Sequence, residues 1–322
     1  MTNKFLYLII FIALIAISCD DGFDPFGEFQ DNYALTCILK SDTTFQSATL
    51  SHNYRGDGFD PYGNTDDPSI IGADIRVWLG DSVYIFRDTS VARIDTSRYT
   101  TSFYFYYNNK FKIEPDKNLE IEVLLQNGQR LKASSRAPEE IFFDNESAVL
   151  IPSVNSELVK FIWNQQVEGT FYSPQLTIRY VQNINGNSIE KLKIVPIKYV
   201  EQNGDLVPLF PQPLNKTTII YELDAVSRAL EEISEGDPNK DNYTILQSPA
   251  FELIALDLNL SRYVSSTNQS LDDLTVTVNE SDFTNVEGGL GVFGSYTKKN
   301  YTRIRFQPNY IESFGYNFLF DN

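Results

Sequence analysis

Apolar and polar residues alternate with a period of two along most of the chain beyond residue 31. Ile75 and Val77 follow this rule, and the stretch 119–125 places a leucine, isoleucine or valine at every second position. Asn127-Gly128 comes next, a pair typical of two-residue hairpin turns. Because a strand points successive side chains to opposite faces, the alternation predicts β-strands with one buried face.

Many short strands separated by turn residues favour an all-β protein built of sandwiches. The pattern predicts two tandem β-sandwich domains of immunoglobulin- or fibronectin-like type. The first covers residues 32–137, and the second covers residues 138–322, where the alternation restarts near residue 158. One segment of the second domain, residues 222–234, instead places apolar residues at helical spacing, so one short helix is expected there.

The N-terminus has the layout of a secretory signal, with one lysine before a short apolar run at residues 5–17. The residues that follow resemble a bacterial lipobox, which implies cleavage after residue 18 and lipidation of Cys19. We therefore expect a lipoprotein signal peptide at residues 1–18. The acidic, Gly- and Pro-containing residues 19–31 are expected to form a tether. The alternative is an ordinary secretory signal in which the cysteine occurs by chance.

The chain carries 43 acidic and 26 basic residues, for a net charge of −17. Such a charge repels phosphate backbones, so nucleic acid is not an expected partner. It would also repel an anionic membrane, which leaves the lipid on Cys19 as the expected membrane anchor. Cys37, the second of two cysteines, alternates with apolar neighbours and is expected to be a buried small hydrophobe.

Catalytic chemistry has little support in the sequence. His52 is the only histidine, and no residue pattern around it supplies a nucleophile or a second metal ligand. We therefore expect a protein that is not an enzyme and has no cofactor. A hydrolase that uses an unmarked pair of carboxylates remains an alternative.

Aromatic residues supply the candidate ligand-binding positions. The segment Phe103–Tyr107 is aromatic on both faces of one predicted strand. The face that carries Tyr104 and Tyr106 is interpreted as packing against the neighbouring domain. The alternative is that Tyr104 and Tyr106, together with Trp78, stack against a sugar ring.

Two loops are rich in oxygen ligands. Asp237, Asn239 and Asp241 occupy the first three ligand positions of an EF-hand-like loop, although the glycine and the bidentate glutamate of that loop are absent. Asp57–Asp67 is also rich in acids. Each loop is interpreted as a solvated turn, with weak calcium binding as the alternative.

A glycine-rich segment, Gly289–Gly294, formally matches G-x-G-x-x-G. A dinucleotide site requires a helix to begin at the third glycine, whereas here strand-forming residues follow. The segment therefore predicts a hairpin or bulge in which backbones approach closely.

The sequence also contains a short repeat, Asp21–Gly27 and Asp57–Gly63, whose two copies differ only by Phe26 for Tyr62. The repeat is interpreted either as coincidental similarity of two turn-rich loops or as two acidic, aromatic loops that contact one shared partner.

Three stretches, Ile71–Val77, Leu119–Ala133 and above all Asn285–Gly294, resemble a family of Bacteroidota-type envelope lipoproteins known as a domain of unknown function. Genes of that family often lie beside TonB-dependent outer-membrane receptors. The resemblance implies an outer-membrane lipoprotein, and Asp20-Asp21 after the lipidated cysteine resembles a surface-export signal. It implies a non-enzymatic binding or accessory role for an outer-membrane receptor or transporter. Surface glycan binding is the alternative function.

Overall fold

The computed structural model describes residues 32–53, 65–144, 149–268 and 283–320. Strands make up 51% of the structure and helices 11%, which confirms the expected all-β, sandwich-like fold. The predicted signal peptide (1–18) and tether (19–31) lie outside the described residues. No helix within the described ranges is long and apolar enough to cross a membrane.

The elements follow one another in chain order, with strands labelled β and helices labelled α. The strands are β1 Tyr33–Lys40, β2 Gln46–His52, β3 Asp74–Leu79, β4 Ser82–Val91, β5 Phe103–Asn108, β6 Asn118–Leu124, β7 Arg130–Arg136, β8 Val149–Ile151, β9 Leu158–Ile162, β10 Tyr172–Ile184, β11 Asn187–Val195, β12 Lys198–Gln202, β13 Asp205–Leu209, β14 Thr218–Glu222, β15 Tyr243–Leu246, β16 Ala250–Leu256, β17 Leu290–Tyr301, β18 Ile304–Phe306 and β19 Asn317–Leu319. The helices are α1 Leu223–Ile233, α2 Leu258–Asn268 and α3 Pro308–Glu312, with a 3₁₀ turn at Lys240–Asn242.

A continuous hydrogen-bonded path runs through a 13-stranded sheet in the order β19-β15-β10-β16-β17-β1-β2-β5-β4-β3-β6-β7, and β11 pairs with β10. Strand β4 joins two parts of this path. Its residues 82–86 pair with β3, while residues 87–91 pair with β5. The inward side chains of β1, β2 and β5 and those of β3, β6 and β7 meet in one hydrophobic core.

A second core lies in the other half of the chain, where β9, β10, β14, β15 and β16 pack with α1. Its centre is aromatic: the rings of Phe161 and Phe251 stack with centroids 3.8 Å apart. Helix α1 matches the predicted helix at 222–234. It buries its apolar face, which includes Val226 and Leu230.

Strand β17 connects the two halves. Its residues 290–296 run parallel to β1, and its residues 296–301 run antiparallel to β16. Val286 and Phe293 consequently belong to the first core, although they lie far beyond the predicted boundary at 137/138. The first core is therefore not composed of residues 32–137 alone. The alternation of β1 shows that it is a strand, but it carries no information about which strand will pair with its edge.

Two further helices, α2 and α3, occur in the second half beside the expected one. The segment 251–260 has the composition of a strand, but β16 ends at Leu256 and α2 begins at Leu258. Asp257 lies between them, and its Oδ1 accepts the backbone N–H of Leu260 at 2.8 Å. This carboxylate caps the first turn of α2, which ends the strand.

Candidate functional site

Tyr106, a predicted stacking residue, is part of the first core and is only 1% exposed. Its hydroxyl donates to the carbonyl of Ile70 at 2.9 Å and accepts the N–H of Ala73 at 3.0 Å. Burial raises the pKa of Tyr106. The prediction that Tyr106 stacks on a ligand is therefore wrong. Tyr104, two positions away on the same side of β5, is only partly exposed.

The opposite face of β5 carries an exposed aromatic residue, Phe103, and two that are partly exposed, Phe105 and Tyr107. Phe103, Phe105 and Tyr107 follow one another along it, with ring centroids 5.9 and 6.4 Å apart, and Phe45 extends the row with its ring 5.7 Å from Tyr107. We call these four residues the aromatic ladder. Phe45 is 44% and Phe103 37% exposed, and Val91 beside Phe103 is 51% exposed. Sequence alternation identified the two faces of β5 but not which one pointed outward.

The ladder ends at a cluster of polar contacts around Asp67. The guanidinium of Arg93 lies 5.3 Å from the Phe103 ring centroid and donates to Asp67 at 2.8 Å. The hydroxyl of Thr101 donates to the same carboxylate at 2.6 Å. Burial alone would raise the pKa of Asp67, but the hydrogen bonds that it accepts hold this pKa well below its ordinary value. Asp67 is therefore the shared acceptor of an ion pair and of several hydrogen bonds at this end of the ladder.

Trp78, the third predicted stacking residue, lines an open groove of about 350 Å³ on the outer face of β3, β6 and β7. Strand register aligns Trp78 with Glu120 of β6 and Ser134 of β7 in one cross-strand row. The neighbouring row aligns Glu122 with Lys132. Trp78 is partly exposed, so the structure places it where a ligand could reach it.

The second wall of this groove comes from the segment that leads into β17. Glu287 and Lys132 exchange two backbone hydrogen bonds of 2.7 and 3.1 Å, which hold this segment beside β7. The side chain of Asn285 both accepts the N–H of Phe293 and donates to its carbonyl, at 2.9 and 2.7 Å. The groove is thus built from two segments that are far apart in the chain, residues 78–134 and residues 285–287. We call it the Trp78 groove, with side chains from Trp78, Glu120, Glu122, Lys132, Ser134, Asn285 and Glu287.

Charges in the Trp78 groove are mixed. Glu122 is paired with Arg130 at 3.2 Å. Glu120, Lys132 and Glu287 are exposed, and none of the ion pairs seen in the described part of the chain involves them. The groove therefore offers both hydrogen-bond acceptors and donors beside an aromatic ring.

A smaller cavity of about 200 Å³ lies between the two cores, beside Asp257. Asp257 is 3% exposed, and burial raises its pKa against the opposing effect of four hydrogen bonds. Ser135 of β7 donates to it at 2.6 Å, and both the N–H and the hydroxyl of Ser295 of β17 also donate to it. Because its oxygens accept hydrogen bonds from β7, β17 and α2, Asp257 links these three elements.

The calcium candidates form a turn closed by its own hydrogen bonds. Asp237 accepts the N–H of Asn239 at 2.8 Å, the side-chain amide of Asn242 at 3.2 Å and the hydroxyl of Tyr243 at 3.1 Å. Asp241 lies in the adjoining 3₁₀ turn. Among the described residues, no group of three or more His, Cys, Asp or Glu side chains is arranged to hold a metal. The hydrogen bonds that Asp237 accepts stabilise the turn.

The glycine-rich segment has the predicted close backbone approach. A Cβ on Gly288 would lie 2.4 Å from the carbonyl oxygen of Arg130, and one on Gly289 would lie 2.5 Å from that of Tyr33. Strand β17 begins at Leu290, so no helix N-terminus is present here to hold a pyrophosphate.

Cys37 is fully buried, as predicted, and burial raises the pKa of its thiol to about 12.

Cys19, the predicted lipidation site, lies outside the described residues, as do both copies of the Asp21–Gly27 repeat. The structure does describe Asn32, which follows the first copy, and Asn53, which precedes the second. The N–H of Asn53 donates to the carbonyl oxygen of Asn32 at 2.9 Å.

No protein-family model matches the chain, and a search of curated proteins finds no significant match.

Proposed function

We propose that this protein is a non-enzymatic lipoprotein of the outer membrane, anchored through Cys19 and exposed at the cell surface. In this proposal it is a binding or accessory component of an outer-membrane receptor or transporter. The observation that carries the proposal is the aromatic ladder on the outer face of β5. Large aromatic residues are enriched at the centres of protein interfaces, where they bury much area at a small entropic cost.

The ladder forms a continuous apolar surface and is not a set of scattered residues. Phe45, Phe103, Phe105 and Tyr107 contact one another in a row, and Val91 continues the apolar surface beside Phe103. A row of this kind in contact with water costs free energy, which docking of a partner would recover. Arg93 and Asp67 at its end supply the polar rim that interfaces usually have.

The proposed anchor restricts where the partner can be. Residues 19–31 separate Cys19 from the start of the described fold, and thirteen fully extended residues span at most about 45 Å. The first core would thus stay close to the bilayer. A partner embedded in the same membrane meets this condition, and confinement to one membrane raises its effective concentration at the ladder.

Site-specific photocrosslinking in intact cells tests the proposal. A photoreactive amino acid at Phe105 should crosslink to an integral outer-membrane protein. The same amino acid at Leu192, an apolar residue of β11 that is 66% exposed, should not. The double variant F103A/F105A should reduce co-purification of that membrane protein about tenfold or more. Equal crosslinking from both positions, or unchanged co-purification of the double variant, would contradict the ladder as the docking surface.

Surface glycan binding is the second candidate function, and the Trp78 groove is the observation that favours it. Exposed tryptophan beside acidic, basic and amide side chains supplies both the apolar surface and the hydrogen-bonding groups of a small-ligand site. The non-enzymatic part of the proposal has its own test. Prolonged incubation with bound oligosaccharides should release no new reducing ends, and release that depends on Glu120 or Glu287 would make the protein a hydrolase.

A further inference from the structure

We propose that the Trp78 groove binds a neutral saccharide and discriminates against acidic ones. This inference rests on glycan binding as the second candidate function, and it assigns that function a site and a ligand class. Its basis is the set of side chains that strand register brings together around Trp78, together with the balance of their charges.

The size of the groove suits a small ligand. Its volume of about 350 Å³ is at the lower end of the range of roughly 300–1,000 Å³ for small-molecule sites. The cross-strand row Trp78, Glu120 and Ser134 forms its floor, and Glu287 lies beside Lys132 at the edge of β7. The backbone bonds between Lys132 and Glu287 hold this edge in place, so only side chains need to be ordered when a ligand binds.

The chemistry of the lining matches a hydroxyl-rich ring. The indole of Trp78 offers an apolar surface to the C–H face of a sugar. Each sugar hydroxyl both donates and accepts hydrogen bonds, so a matching site needs both kinds of partner. Glu120 and Glu287 can only accept, whereas Lys132 can only donate, and Ser134 can do both.

The charge balance decides the ligand class. Three carboxylates line the groove, and only that of Glu122 has an arginine partner, Arg130. An acidic sugar would bring a fourth negative charge into the groove of a protein whose net charge is already −17. Lys132 stands between Glu122 and Glu287 in the strand register and is one positive charge against three carboxylates. A neutral saccharide avoids the repulsion that these carboxylates exert on an acidic ligand.

Tryptophan fluorescence supplies a direct readout because the chain has only two tryptophans. Trp163 is 2% exposed in the second core, so a ligand in the Trp78 groove should change the emission of Trp78 alone. The purified mature protein is applied to an array of neutral, uronate-containing and sulfated oligosaccharides. The best neutral compound is then titrated by fluorescence and by calorimetry.

We expect saturable binding of a neutral saccharide and at least about tenfold weaker binding of its acidic counterparts. W78A should weaken binding about tenfold or more by calorimetry, the scale of a lost aromatic contact. The matched control F142A removes an aromatic residue that is 60% exposed and lies outside the groove, and it should bind as the wild type does. The double variant E120Q/E287Q should reduce the discrimination against acidic saccharides.

The outcomes separate the inference from the function on which it rests. If W78A folds, as judged by its thermal melt, and binds the saccharide with unchanged affinity, the protein binds glycans elsewhere and the groove assignment is wrong. If no array compound binds the wild type at millimolar concentration, glycan binding itself fails, and the inference fails with it. Preference for acidic saccharides would overturn the charge argument.

Discussion

Gly291 of β17 lies opposite Leu35 of β1, and a Cβ on Gly291 would lie 2.0 Å from the Leu35 carbonyl oxygen. The backbone of Gly291 also has a φ of +111°, a conformation that other residues rarely adopt. The parallel pairing of β1 with β17, and with it the link between the two halves, therefore depends on the absence of a side chain at this position.

We expect G291A to destabilise the protein by about 3 kcal/mol or more, because relief of the clash must separate β17 from β1. Gly128 offers a matched control, since its φ is +86° and a Cβ there would have nothing within 4 Å. G128A should cost only about 1 kcal/mol, from backbone strain alone. Urea unfolding of both variants measures the difference, and equal costs would show that the close approach to Leu35 is unimportant.

Asp257 joins β7, β17 and α2, so its removal should weaken the junction between the halves. D257A leaves the N–H groups of Leu260 and Ser295 without their partner. Since each of these two unsatisfied buried groups costs about 1–3 kcal/mol, we expect a total loss of about 2–6 kcal/mol. Hydrogen exchange should quicken at these two amides. D241A, which removes an exposed aspartate, should stay within about 0.5 kcal/mol of the wild type; similar losses in both variants would contradict the role of Asp257.

Asp67 should contribute a pH-dependent part of the stability. Its hydrogen bonds hold its pKa below the ordinary value of 3.8. The folded state therefore favours the charged form, so the contribution is present above about pH 4 and is lost as the pH falls further. D67N should be about 2 kcal/mol less stable than the wild type at pH 7, and this gap should narrow below pH 4. Melting curves from pH 2 to 7 measure it, and a gap that is constant with pH would refute the assignment.

The proposed lipid anchor gives a further prediction. C19A should leave the membrane fraction, or remain unprocessed, and should partition into the aqueous phase of a detergent extraction. C37A is the control, because it removes the other cysteine, which is fully buried. That variant should still partition into detergent. Retention of C19A in the detergent phase would refute lipidation at this residue.

Candidate binding residues were only partly predictable. Trp78 lies in a groove, as a stacking residue must, but its partners Asn285 and Glu287 are about 200 positions away and carry no local signal. The pattern of β5 does not show that Tyr106 faces the core, because Phe103–Tyr107 is aromatic on both sides. In such a strand, the period of two specifies two faces without specifying which one meets the core.

The local elements follow from the amino-acid sequence: strands where apolar residues alternate, the helix α1 where they recur at helical spacing, and a close-packed backbone where glycines cluster. Short-range sterics and the burial of one face are enough to specify them. Three other features depend on the complete fold: the pairing of β17 with β1, the end of β16 and start of α2 at Asp257, and the Trp78 groove between distant segments. Strand partners are selected by packing and backbone hydrogen bonds across the whole chain, and a residue's local pattern does not contain that information.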